Sequence, residues 1–471
     1  MSDVTFNLTM NGKQVPAETS FAVTNPSTGE AFAQCPQASP TQVNEAVDAA
    51  KEAFPKWAAM TTEKRRKMLL RCADRLEEKS KEIGAILTKE QGKPIKEAVG
   101  EVIGAAHSMR GSCRIDLNPM TIEEDKRRKV KVHYKPLGVV GAITPWNFPV
   151  MLATWKSAPA LVTGNTLVLK PSPFTPLSTL MFGQILAEEL PAGVINIVSG
   201  NLDQGPQLVQ HKDIRKVTFT GSTATGQKIN ESVAADLKRV TLELGGNDPA
   251  VILPDVDVAK TAAKIFAGAT INNGQTCIAV KRVYVHKSQY DEFVDALVEE
   301  AKNAIVGDGF QDGVRLGPIN NAEQKARVKM LVEDARQKGA TVCCGGEEPN
   351  APGFFYTPAV VKNVTDDMPL AAEEQFGPAI PVLCYDDIDD AMSRANNSAF
   401  GLGGSIWSKD LQRAEELAKS LETGTAWVNA HPDFCHLAPF GGAKHSGIGV
   451  ENGKEGLKAF TQTQVINVHK S

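Results

Sequence analysis

The chain has 471 residues, 42% hydrophobic and 23% charged, with 39 Gly and 27 Pro; these proportions exclude disordered and collagen-like proteins. Lys and Arg number 51 against 55 Asp and Glu, a net charge of −4, so no global field draws the chain to nucleic acid or anionic lipid. At roughly 100–200 residues per domain, a soluble protein of two to four domains is expected, with enough core to need no disulfide or structural metal.

Met1-Ser2-Asp3-Val4 carries neither an apolar signal core nor an Arg-rich presequence, which predicts a cytoplasmic location with reduced thiols. The first hundred residues read as a strand-poor opening followed by amphipathic helices. Ser39-Pro40-Thr41-Gln42 supplies a cap, a first-turn proline and a capping-box glutamine. Val43, Ala46, Val47, Ala50, Ala53 and Phe54 then recur at helical spacing, and Met68, Leu69, Cys72, Ala73 and Leu76 mark a second helix. Cys72 lies on that apolar face and reads as core.

Residues 117–135 run Glu123-Glu124-Asp125, then Lys126-Arg127-Arg128-Lys129, then Val130, Val132 and Tyr134 in alternation, and Phe460–His469 alternates too. Both read as half-exposed strands that a monomer leaves as open edges, hence as an intersubunit arm and its docking strand. The acidic triplet and the lack of interleaved aromatics argue against nucleic acid at the basic cluster. Between Lys135 and Lys156 lie twenty uncharged residues, the length of a membrane span. Pro136, Pro145, Pro149 and Asn147 interrupt them, so a strand, a turn and a helix are predicted and no membrane segment is expected.

From 138 to 244, apolar runs at Val139–Ile143, Thr166–Leu169, Val194–Val198, Val217–Phe219 and Val240–Leu244 alternate with helical stretches near 151–162, 176–189, 203–210 and 223–235. This predicts parallel strand–helix–strand units in an open, doubly wound sheet, which binds ligands at the carboxyl ends of its strands. A second α/β region follows a boundary near 246, with a helix near 257–270 and strands near 282–286, 380–384, 402–406 and 425–428.

Four motifs carry candidate chemistry. Cys277 follows the turn Asn272-Asn273-Gly274-Gln275-Thr276, off any apolar stripe, where small polar neighbours leave a sulfur accessible. Glu243 ends an apolar strand before Leu244-Gly245-Gly246, and is either a general base of raised pKa or a carboxylate paired with a cation. Asn147, within Pro145-Trp146-Asn147-Phe148-Pro149, either donates its amide to an oxyanion or caps the following helix. Gly221-Ser222-Thr223-Ala224-Thr225-Gly226 opens a helix after a strand, a place for a pyrophosphate, although it lacks G-x-G-x-x-G and Gln227 stands where a P-loop needs Lys. The eight cysteines form no C-x-x-C pair and no zinc-finger spacing, so no metal is expected.

Together with Glu373-Glu374-Gln375-Phe376-Gly377-Pro378, Pro439-Phe440-Gly441-Gly442, Lys444 and Ser446-Gly447, these motifs closely resemble the aldehyde dehydrogenase superfamily, from about Asn25-Pro26 to Gln464-Val465. The resemblance implies the aldehyde dehydrogenase fold: a doubly wound, parallel-sheet cofactor domain (1–116 and 137–246), a second α/β catalytic domain (247–445), and a small β oligomerisation arm with a C-terminal strand (117–136 and 446–471). It implies Cys277 as nucleophile, Glu243 as general base and Asn147 as oxyanion-hole amide, with Lys156 and Glu451 in a proton relay. It implies Thr144, Pro145, Trp146, Gly221 and Ser222 around the dinucleotide, Lys170 at the adenosine ribose, Glu374 at the nicotinamide ribose and Phe376 beside that ring. A small-molecule aldehyde substrate, NAD or NADP without a metal, and a homodimer or homotetramer follow from it. Many NAD-selective members carry Glu three residues after the lysine, where this chain has Pro173; the repulsion of a 2′-phosphate is thereby removed.

A CoA-acylating member characteristically lacks the base at the position of Glu243. Phosphorylating or reducing members and a non-catalytic scaffold also compete, and retention of Cys277, Glu243, Asn147 and Glu374 together argues against the scaffold. The substrate walls are expected around Met151 and Trp155, at Thr276 and Ile278, and in the loop Ala430–Leu437 with His431, Phe434, Cys435 and His436. None of these segments supplies an Arg for a second carboxylate, which points to a semi-apolar aliphatic or aromatic aldehyde rather than succinate semialdehyde. His431 and His436 read as wall residues.

Overall fold

The computed structural model describes residues 5–470; Met1–Val4, on which the leaderless reading of the N-terminus rests, and Ser471 lie outside them. The five apolar runs between 138 and 244 form parallel neighbours in one sheet, ordered Ile195–Ile197, Thr166–Lys170, Val139–Ile143, Ile214–Thr220, Arg239–Glu243. Counted along the chain that order is 3-2-1-4-5, the doubly wound arrangement. Helices Pro149–Val162, Leu177–Glu189, Gln204–Gln210 and Thr223–Ala234 make the crossovers. The uncharged stretch 136–155 is thus a strand, a turn and the start of a helix, and among the described residues no helix is long and apolar enough to cross a membrane.

A second sheet has the order Thr341–Cys344, Ala359–Lys362, Ala379–Tyr385, Val280–His286, Asp248–Ile252, Gly403–Trp407, Thr425–Val428, parallel except for its Thr341–Cys344 edge. Its interior strand Asp248–Ile252 is absent from the sequence expectation. Pro249 argues against a central strand, because it removes a ladder donor; here a register shift between Asp248 and Pro249 absorbs it on the side facing Val280–His286.

The strand-poor opening is a correction. Residues 8–37 hold four strands: Leu8–Met10 and Lys13–Val15 extend the first sheet, and Thr19–Asn25 pairs with Glu30–Gln37. The signal was Asn11-Gly12, both at positive φ (49° and 73°), the two-residue turn that joins strands tightly. The capping box at Ser39 is present as read: Gln42 N–H donates to Ser39 Oγ at 3.2 Å and Ser39 N–H to Gln42 Oε1 at 3.0 Å, opening the helix Pro40–Ala59.

The two alternating segments also require a correction. Thr461–His469 and Arg128–Pro136 pair with each other, antiparallel over nine residue pairs, and Met120–Glu124 completes a three-stranded sheet. The ladder groups of Arg128–Pro136 are therefore satisfied within one chain rather than by a second subunit. Exposed apolar side chains remain on the outer strands at Met120, Ile122, Val465 and Val468. Residues 446–460 do not join this arm: Gly447–Ile448 pairs with Arg239–Glu243 at the edge of the first sheet, and Leu457 and Phe460 are buried in its core.

Candidate active site

The strand order reverses between Val139–Ile143 and Ile214–Thr220, and the crevice of an open α/β sheet lies at the carboxyl ends of such a pair. Three helices begin at this edge, and buried glutamates occupy two of their N-termini. Glu101 Oε1 accepts from Val150 N–H at 3.0 Å and Met151 N–H at 3.2 Å, and Glu90 accepts from Leu177 N–H at 2.7 Å and Ser178 N–H at 2.9 Å. Burial pushes the Glu90 carboxyl up to about 8. The third helix, Thr223–Ala234, is capped by its own exposed Ser222, whose Oγ accepts from Thr225 N–H at 3.3 Å. Its N-terminus opens into a cleft of about 540 Å³ whose lining includes Pro145, Trp146, Asn147, Gly221, Ser222 and Thr223 together with Cys277, Gln324, Glu374 and Phe376.

An aromatic pair spans this cleft, with Trp146 and Phe376 edge to face at 5.2 Å. Phe376 sits at φ 53°, a conformation that a bulky side chain adopts only when its surroundings impose it. Gln324 Nε2 holds the carbonyls of Gln375 and Phe376 at 2.8 and 3.0 Å. Glu374 Oε1 accepts from Gly246 N–H at 3.0 Å. Gly246 is required by close approach, since a Cβ there would meet the Cys277 carbonyl at 2.4 Å; a Cβ on Gly245 would meet the end of the Glu374 side chain, Oε2, at 2.6 Å.

Asn272, Asn273 and Gly274 are all left-handed (φ 50°, 57°, 73°), which asparagine and glycine tolerate best. This tight coil brings Cys277 to the lining of the cleft. Asn147 meets it there: Asn147 Nδ2 donates to the Gln275 carbonyl at 3.0 Å, and Asn272 Nδ2 to the Asn147 carbonyl at 3.0 Å. Capping the helix Pro149–Val162 falls to Glu101, so Asn147 is not its cap; the Asn147 amide has a second N–H beyond the one given to Gln275. Burial pushes the Cys277 thiol up to about 12, against the opposing pull of Lys281. Cys277 is half-buried, whereas Cys35 and Cys72 are fully enclosed in the core.

Glu243 ends its strand opposite Thr220. Both carboxylate oxygens are buried and, among the described residues, neither has a hydrogen-bond partner. Burial first, then the charge of Glu451, holds this carboxyl well above the usual range, with Lys156 opposing. The cation-paired reading of Glu243 does not describe this geometry. The pair lies elsewhere: Lys156 Nζ is 2.6 Å from Glu451 Oε1, both side chains wholly buried, with Thr220 Oγ1 at 2.7 Å and Thr218 Oγ1 at 3.4 Å from the same nitrogen.

A model of the aldehyde dehydrogenase family matches residues 14–466. The chain belongs to that family. It is 38% identical to a betaine aldehyde dehydrogenase of Rhizobium etli over 94% of this chain and 92% of that one. A solved NAD+ complex of a Bacillus cereus aldehyde dehydrogenase superposes with a TM-score of 0.95 at 37% identity, covering 99% and 97% of the two chains. An E. coli NADP-dependent enzyme gives 0.95 at 34%, covering 98% of each. The protein is an NAD(P)-dependent aldehyde dehydrogenase, an enzyme that oxidises aldehydes with a nicotinamide dinucleotide.

In this aldehyde dehydrogenase the residues expected to wall the substrate gather around Cys277. Met151, Leu152, Trp155, Ile278, Trp427 and Phe440 pack in one cluster with Cys277, and Phe434 lies edge-on to Trp155 and Phe440, 5.7 Å from each. His431 is buried with Nε2 2.9 Å from the Ile278 carbonyl. Thr276 Oγ1 is committed to the Ile271 carbonyl at 3.1 Å. Lys170 ends the strand Thr166–Lys170 outside the lining of the cleft; it is buried, donates to the Pro171 carbonyl at 3.2 Å, and burial lowers its ammonium to about 8.

Several residues that build the site were not read from the sequence. Glu101, Gln324, Lys281 and Lys93, whose Nζ donates to the Asn147 carbonyl at 2.8 Å, have no motif of their own. Glu101 shares a buried face with Ala98, Val102 and Ala105, and Lys281 interrupts the apolar run Ile278–Val285. A charge on an apolar stripe is the signal that marks both.

Proposed function

We propose that this enzyme oxidises an aldehyde to its carboxylate through a covalent thioester on Cys277, hydrolysed by water that Glu243 activates. The observation that carries the reading is the meeting of Cys277 and Asn147 at one wall of a cleft whose other features suit a dinucleotide. The helix N-terminus capped by Ser222 opens on the cleft and suits a pyrophosphate, Glu374 presents a carboxylate to ribose hydroxyls, and Trp146 and Phe376 supply aromatic faces. A nicotinamide dinucleotide held there supplies a hydride acceptor.

The residues of the chain do the rest. The Cys277 sulfur, once deprotonated, adds to the aldehyde carbon, forming a C–S bond and an alkoxide. The free N–H of Asn147 and the backbone N–H of Cys277 stabilise that oxygen. Loss of hydride from the same carbon leaves the thioester. Glu243, in its ionised form, takes a proton from water; hydroxide adds to the thioester carbon, the C–S bond breaks, and carboxylic acid leaves with the thiolate restored. The buried Lys156–Glu451 pair next to Glu243 is the route by which that proton moves away.

Neither NAD nor NADP is disfavoured by the chain: Pro173 brings no carboxylate against a 2′-phosphate. The aromatic and aliphatic wall around Trp155, Phe434 and Phe440 favours a semi-apolar aldehyde. Incubation with an aldehyde panel and NAD or NADP, without CoA or phosphate, is expected to produce reduced nicotinamide and free carboxylate. A requirement for CoA or phosphate would overturn the hydrolytic reading. Asn147→Ala is expected to lower kcat about 10²–10³-fold, the usual cost of one oxyanion donor; single-turnover measurement of the hydride step checks this, and an unchanged rate would remove Asn147 from the oxyanion site.

The exposed apolar residues of the three-stranded arm favour a homodimer or homotetramer built on that sheet. Deleting residues from Thr461 onward strips Arg128–Pro136 of one of its two partner strands and is expected to yield smaller, less thermostable assemblies. Light scattering at equal concentration decides this, and an unchanged mass would place the contact elsewhere.

A further inference from the structure

The catalytic loop is held from behind by a cation that the mechanism above does not use. Lys281, on the strand Val280–His286, is 2% exposed. Its Nζ donates to the carbonyls of Thr276 and Cys277, both at 2.7 Å, and stands 3.8 Å from Glu374 Oε1. Gln375 Nε2 returns a bond to the Lys281 carbonyl at 3.2 Å. A single ammonium thus joins the loop bearing the nucleophile to the segment bearing the cofactor carboxylate. Resting on the reading of Cys277 as nucleophile, we propose that Lys281 is a positioning residue that fixes the Cys277 loop to Glu374 and sets the direction of the loop's N–H groups.

The geometry follows from the planar peptide. The Thr276–Cys277 bond is trans, so its C=O and N–H point opposite ways. Anchoring the Thr276 oxygen on Lys281 therefore aims the Cys277 N–H away from the lysine, as the backbone half of an oxyanion site requires. A hydrogen bond to a charged donor also polarises the peptide, which strengthens that N–H as a donor.

The same charge acts on the sulfur. Four groups from four segments face Cys277: Lys281 favours the thiolate, while Glu374, Asp248 and Glu243 oppose it. Lys281 is the single cation among them. Ordinary structural lysines do not need this arrangement: an apolar side chain would fill the buried strand position at lower desolvation cost.

The test measures iodoacetamide labelling of Cys277 by peptide mass spectrometry across pH, alongside steady-state kinetics, for wild type and for Lys281→Met, Lys281→Gln and Lys281→Arg. Lys281→Gln keeps donors at the site without the charge, which preserves a folded chain if Lys281→Met does not. Met and Gln are expected to move the labelling midpoint up by a pH unit or more. They should also lower kcat at least tenfold, with a smaller change in KM for the dinucleotide, and Arg should restore both in part. A folded Met or Gln variant with an unmoved midpoint and unchanged kcat would overturn the assignment alone. Turnover by Cys277→Ala would overturn the nucleophile reading and this assignment with it.

Discussion

Cys277→Ala is expected to abolish aldehyde oxidation, a loss of at least about 10⁴-fold in kcat, because a covalent nucleophile has no substitute in the chain. Dinucleotide binding should survive, since Ser222, Glu374, Trp146 and Phe376 belong to other segments. Fluorescence titration of the variant with NAD and NADP measures the second half of the expectation. Alkylation is a complementary readout. Cys35, Cys72 and Cys113 are buried and shielded from the reagent, whereas Cys384 and Cys435 are exposed and will label with Cys277. Inactivation should follow label at Cys277 alone, and substantial turnover by the alanine variant would end its assignment.

Glu243→Gln is expected to separate the two halves of the reaction. Thioester formation does not require a base for water, so a first turnover of reduced nicotinamide should persist as a burst. Steady-state kcat should fall by about 10²–10⁴-fold, the range associated with general base catalysis. The pH dependence has a definite sign. Burial and Glu451 raise the Glu243 carboxyl well above the ordinary carboxylate range. At low pH it is a neutral acid and cannot take a proton; activity should rise as pH increases and the carboxylate forms. A carboxyl of ordinary acidity would give that rise at lower pH. In the glutamine variant the rise attributable to deacylation should vanish. Loss of the burst together with steady-state turnover would assign Glu243 to an earlier step.

The site was legible where a short motif carries both the residue and its local geometry. Asn272-Asn273-Gly274 demands a left-handed coil, and that coil alone brings Cys277 out of the apolar pattern. The reason for Gly246 was not legible, since the Cys277 carbonyl that a Cβ would meet is brought there by the tertiary structure. The strand Asp248–Ile252 was not legible, because Pro249 reads locally as a breaker and only the register shift beside Val280–His286 accommodates it. The hairpin at Asn11-Gly12 belongs to neither class: its turn signal is explicit, and only its short flanking strands obscure it.

Sequence alone determined the alternation of strands and helices, the doubly wound sheet and the family motifs, because hydrophobic period and turn chemistry act over a few residues. Tertiary structure alone decided which charges those motifs would meet. Glu101 and Glu90 neutralise two helix N-termini and leave the third for the cleft. Lys156 is matched to Glu451, 295 residues away, and Glu243 is left without a partner. The alternating tail found its ladder in Arg128–Pro136 of the same chain. Each of these depends on burial and on separations of a few ångströms between segments distant in sequence, and electrostatic interaction in a low-dielectric interior is governed by those two quantities rather than by local pattern.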